Sequence, residues 1–132
     1  MSYIDGFVLA VLDANKEKFI EHARTADAAM LEFGATRIVE CWGDDVPAGT
    51  LTSFPMAVNA AEGETVVFSW IEWPDKATRD AGMARMMADP RFDLKTNPMP
   101  FDGKRMIFGG FEPVVVLGGA SGPGSTAKLS SS

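Results

Sequence analysis

The stretch from Tyr3 to Leu12 constrains this chain more than any other. It is almost wholly apolar, and both of its alternating side-chain sets are hydrophobic: Ile4, Val8, Ala10 and Leu12 on one side, Phe7, Leu9 and Val11 on the other. A strand alternates its side chains between two faces, so this one belongs in a sheet that must be covered twice. Asp13 and Asn15 follow as N-cap residues. Phe19, Ala23, Ala26, Met30 and Phe33 then recur at helical spacing as far as Gly34, which suits the residue just past a helix end.

Residues 36–42 alternate as a second strand, with Val39 and Cys41 on one side and Ile38, Glu40 and Trp42 on the other. Residues 54–60 and 65–73 read as two further strands, and the Gly63-containing connection between them reads as a hairpin, with Pro55 placing the first at an edge. Pro74 stops the run and Asp75 caps a second helix over 76–88, in which Gly82 is a weak point, ending before Pro90. Residues 91–103 form a loop. A last strand over 104–111 continues beyond Pro113 into residues 114–117, and the glycines and serines after it form a mobile tail. The expected division is a folded domain over 1–117 and a tail over 118–132.

This order predicts an α+β fold of the ferredoxin-like βαββαβ kind, an antiparallel sheet with two helices on one face. Two helices cover one face only. The other carries large apolar groups and is expected to pack against a second copy of the chain, giving a homodimer.

Composition removes several functions. The formal charge of -6 opposes binding to nucleic acid or anionic lipid, and the basic residues are scattered. Cys41 is the one cysteine, so an intrachain disulfide is excluded and a reducing cytoplasm is the expected compartment. The first residues lack the pattern of a signal peptide, and no apolar run approaches the ~20 residues of a membrane span. With His22 the one histidine, neither a zinc motif nor another metal site is expected, and neither a phosphate-binding loop nor a nucleophile elbow occurs. No cofactor is expected.

The remaining candidates are carboxylates, one arginine and aromatic rings. Glu40 and Glu72 each end an apolar strand segment beside a tryptophan, and apolar surroundings favour the protonated form of a carboxyl group, as general acid–base chemistry needs. Arg105 would stabilise developing negative charge. The simpler reading of both glutamates is an ion pair with Arg37 or Arg105, or plain solvent exposure at a strand end. Trp42, Phe68, Trp70 and Phe108 are candidate walls of a pocket for a small apolar ligand, though core packing explains them as well. Cys41 reads as a structural thiol on a packed face, His22 as a helix-surface histidine, and Asp44 and Asp45 as a solvated turn.

Four blocks in this order carry a family resemblance: residues 3–7 (YIDGF), 37–42 (RIVECW), 66–72 (VVFSWIE) and 100–111 (PFDGKRMIFGGF). Together they resemble the YbaA-like family of uncharacterised bacterial proteins, over about residues 3–112. The resemblance implies the dimeric α/β-barrel superfamily, in which two ferredoxin-like sheets pack face to face. It implies no single reaction, because that superfamily includes cofactor-independent monooxygenases, lactone isomerases, haem-handling enzymes and ligand-sensing domains. The resulting expectation is a homodimer binding a small apolar metabolite. The rivals are a cofactor-independent enzyme of monooxygenase or isomerase type using carboxylate proton transfer, and a structural dimer without a ligand.

Overall fold

The computed structural model describes residues 2–119. Strand β1 (Tyr3–Leu12) leads through a 3-10 turn into helix α1 (Lys16–Glu32), followed by β2 (Arg37–Trp42), the short helix α2 (Phe54–Ala57), β3 (Glu64–Trp73), α3 (Lys76–Ala88) and β4 (Ile107–Phe111). All pairings are antiparallel and the sheet order is β2-β3-β1-β4, the ferredoxin-like arrangement expected. Among the described residues, no helix is long and apolar enough to cross a membrane.

Register and packing separate the two faces of the sheet. Leu9 and Val11 of β1 and Val67 of β3 lie under Phe19 and Ala23 of α1, while Ile71 and Trp73 pack with Ala29, Met30 and Phe33. The residues between them in sequence face the other way. There, Val8, Ala10 and Val66 are covered by Val58, and Phe54 sits edge-on to Phe68, with ring centres 5.8 Å apart. Beyond this small cover, Phe68, Ile107 and Phe111 are exposed on the face away from α1 and α3.

Helix ends follow their sequence signals unevenly. Gly34, at φ 119°, completes a Schellman motif: its N–H donates to Leu31 O, and the Ala35 N–H donates to Met30 O. Asp75 caps α3 by accepting from the Thr78 N–H at 2.7 Å. Neither Asp13 nor Asn15 caps α1, because residues 13–15 are wound into the 3-10 turn and the Asp13 carboxylate instead accepts from the Thr65 hydroxyl.

Three expectations are corrected. Residues 54–60 do not form a strand or half of a hairpin: Ser53 Oγ accepts from the Met56 N–H at 3.1 Å and Pro55 occupies the first turn, a helix-start combination that overrides the alternating pattern. The last strand starts at Ile107, not at residue 104, because the Asp102 carboxylate accepts from the Lys104 N–H and holds Gly103–Arg105 in a 3-10 turn. It also stops at Phe111, and Val114, Val115, Val116 and Leu117 are exposed outside the sheet. The expected tail over 118–132 lies outside the described residues except for its first two positions.

Candidate functional site

The three polar candidates are not brought together. Glu72 pairs with Ile4 and Arg37 on the face away from the long helices. Its Oε2 accepts from Trp70 Nε1 at 2.8 Å and from Arg37 Nη1 at 3.3 Å, the ion pair that the simpler reading proposed. Arg105 lies at the opposite end of β3. It donates through Nη1 and Nη2 to the two oxygens of Glu64, both at 2.7 Å, through Nη1 to Asn59 O and through Nε to Asp102. The Glu64 side chain is only 7% exposed, and the bidentate guanidinium, with the Ala61 N–H, holds its carboxyl down at about 2. Two carboxylates thus already balance the Arg105 charge, and the cluster ties the turn before β3 to the one before β4.

Glu40 is in a different environment. It is exposed on the helix-side face of the edge strand β2, opposite the buried Ser69, and within reach of another carboxyl group, Asp27 of α1. Burial first, then the hydrogen bond to Glu40 and the Glu40 charge, push the Asp27 carboxyl up to about 8. His22, five residues earlier on α1, is half-buried; desolvation lowers its pKa, with partial compensation by Glu40, and its ring stands edge-on to Phe101. Asp27 was not among the sequence candidates. Its signal was its place four residues after Ala23, which puts an acid at the margin of the buried stripe of α1.

The Asp27 shift gives a signed expectation. A carboxyl whose folded value exceeds its unfolded value holds a proton that unfolding releases, so its contribution to stability is full below the ordinary value of 3.8 and is lost as pH rises to about 8. Asp27→Asn should therefore flatten the fall in thermal midpoint across that window and should be more stable than the parent near pH 8. Equal slopes for the two proteins in a midpoint-against-pH series would contradict the raised Asp27 carboxyl.

The aromatic candidates divide between the faces. Phe68 and Trp70 lie on the face away from the helices, with ring centres 5.8 Å apart. Trp42 is on the helix side at the β2 edge, half-buried against Phe19 with the Lys16 ammonium over its ring. Phe108 is on the helix side at the β4 edge, stacked on Phe7 at 6.4 Å yet 71% exposed. Cys41 is half-buried and faces away from the long helices, opposite Phe68. Two shallow depressions flank the loop before β4: one of about 390 Å³ lined by Leu12, Glu64, Phe101 and Arg105, and one of about 420 Å³ lined by Lys18, His22, Asn97 and Met99. Among the described residues, no cluster of three or more His, Cys, Asp or Glu side chains is placed to hold a metal ion.

A further polar cluster was not anticipated. Asp5, 3% exposed on the helix side of β1, accepts from Trp73 Nε1 at 2.8 Å and from Arg79 Nη2 and Nε at 2.8 and 3.1 Å. Arg79 also lies over the Tyr3 ring, 5.2 Å from its centre. Gly110 leaves room for both: a Cβ there would collide with the Tyr3 hydroxyl and stand 2.9 Å from Arg79 Nη2.

Comparison with known proteins agrees with this architecture. The Escherichia coli K12 protein named "Uncharacterized protein YbaA" is 56% identical over 115 residues, which cover 87% of this chain and 98% of that protein. Its Shigella flexneri counterpart matches equally. Two solved structures share the fold, both with a TM-score of 0.52: a dimeric ferredoxin-like protein from an uncultured marine organism (14% identity, 88% of this chain and 96% of that one) and an uncharacterised NIPSNAP domain protein from Burkholderia xenovorans (16%, 86% and 95%). A model of the family described as "Protein of unknown function (DUF1428)" matches residues 2–103. The chain, ferredoxin-like in fold and related in sequence to YbaA over most of its length, therefore belongs to the DUF1428 family.

Proposed function

We propose that the protein works as a homodimer whose sheets pack face to face into a barrel, each protomer holding a small, mostly apolar metabolite on its helix side. The observation that carries this reading is the face of the sheet away from α1 and α3, where Phe68, Ile107 and Phe111 are exposed around Trp70 and Cys41. A contiguous apolar patch on a sheet face is an association surface, and two-fold packing of identical faces buries it most simply. The solved dimeric ferredoxin-like neighbour is consistent with this. For the ligand, the exposed Phe108 stacked on Phe7 offers an aromatic wall, and Glu40 with Asp27 offers a polar contact. A formal charge of -6 weighs against a nucleic-acid or anionic-membrane partner, and a single cysteine suits the cytoplasm.

The test is native mass spectrometry of freshly purified protein. A species at twice the 14.2 kDa chain mass, with a small molecule retained, is the expected result. A protein that stays at the chain mass at micromolar concentration overturns the dimer, and an empty dimer under every gentle condition favours the structural rival.

The carboxyl pair favours a second reading, a cofactor-independent enzyme in which Asp27 and Glu40 pass a proton to or from the bound molecule. It requires that Asp27→Asn and Glu40→Gln both abolish turnover of the retained ligand. Glu72 and Arg105, already ion-paired, would then act by holding the sheet ends.

A further inference from the structure

Residues 114–117 are an unusual ending for a sheet domain. Val114, Val115, Val116 and Leu117 are 89%, 74%, 44% and 88% exposed, so three of four consecutive aliphatic side chains find little cover among the described residues and Val116 finds partial cover. β-branched residues favour extended backbone, and a run of them left in water is unfavourable unless something covers it. Pro113 separates the run from β4, and Gly118, at φ 92°, turns the chain at its far end.

The starting point of the run indicates what covers it. It begins three residues after Phe111, whose ring is exposed on the same uncovered face as Phe68 and Ile107. It therefore begins at the rim of the surface assigned above to the second copy. Extended backbone from Glu112 to Gly118 reaches on the order of 20 Å. Packed sheets stand only about 10 Å apart, so the run can cross the gap. It carries no charge and meets no electrostatic obstacle at an apolar surface.

We propose that residues 114–117 form an arm that packs on the second copy of this chain across the rim of the paired sheets, so that two reciprocal arms clamp the dimer. This rests on the dimer reading. It differs from it in assigning part of the association energy to residues outside the sheet.

The experiment compares the full chain with a full-length variant carrying Val114→Ser, Val115→Ser, Val116→Ser and Leu117→Ser, by sedimentation equilibrium. The variant should remain folded by circular dichroism, and its dimer dissociation constant should rise about 100-fold or more. Unchanged dimer affinity overturns the arm while leaving the sheet interface standing. A lower thermal midpoint of the dissociated protomer with unchanged affinity also overturns it, because the run would then pack on its own chain. A parent protein that is monomeric throughout overturns the dimer reading and the arm with it.

Discussion

Replacing Arg79 by alanine should destabilise the protein by about 3 to 5 kcal/mol, the range observed when one partner of a buried ion pair is removed. Asp5 sits in the core side of β1 at 3% exposure, and Arg79 reaches it from α3 with two charge-assisted hydrogen bonds. Without the guanidinium, the carboxylate keeps one donor, Trp73 Nε1, and loses its counter-charge. The loss should appear in the denaturant midpoint, with the slope of the transition little changed. The double variant Asp5→Asn, Arg79→Met should lose clearly less than Arg79→Ala, because no uncompensated charge remains. If Arg79→Ala costs under about 1 kcal/mol, the pair behaves like an exposed salt bridge and the buried cluster is wrongly placed.

How much of this was legible in the sequence depends on the range of the interaction. The two-faced β1, the helix stripe ending at Gly34, the Asp75 cap and the stop at Pro90 are local patterns, and each has its expected consequence in the fold. The failure at residues 54–60 was also local. There Ser53 and Pro55 together specify a helix start, and this local signal prevails over the hydrophobic alternation. Asp5 shows in the sequence only as a polar residue inside an apolar strand. Its role needed Trp73 and Arg79, 68 and 74 positions away, and no period in the sequence links them.

The candidate site was legible to the same extent. Alternation separates Glu40 from Cys41, and of the ion pairs open to the two glutamates the one between Glu72 and Arg37 forms. It could not supply the register of β3 against β1 and β2, nor that Arg105 docks on Glu64 at the start of β3 while Glu72 lies near its end. Nor could it say that α1 brings Asp27 over the β2 edge to Glu40. Register and helix docking are long-range properties, and they decide which charged groups meet.

Gly82 is where a local rule and the packed structure give opposite signs, and Gly82→Ala should destabilise. In an exposed helix the substitution gains up to about 1 kcal/mol, so the sequence marks Gly82 as a weakness of α3. In the fold, a Cβ at this position would stand 2.6 and 2.7 Å from Trp73 Cζ3 and Cη2 and 3.0 Å from the Phe33 carbonyl oxygen. Trp73 is 1% exposed, and turning its indole away would break the Nε1 bond to Asp5. The Phe33 oxygen is backbone at the end of α1. Neither neighbour yields cheaply, so the helix must lift from the sheet. Overpacking of this kind costs about 1 to 3 kcal/mol, which exceeds the propensity gain. For a chain of this size the thermal midpoint should fall by roughly 3 to 6 °C per kcal/mol, and Gly82→Val should fall further. Because α3 also carries Arg79, lifting it loosens the ion pair, and the Gly82→Ala and Arg79→Ala losses should sum to more than the double variant shows. A midpoint for Gly82→Ala at or above that of the parent would mean that α3 does not dock through this glycine.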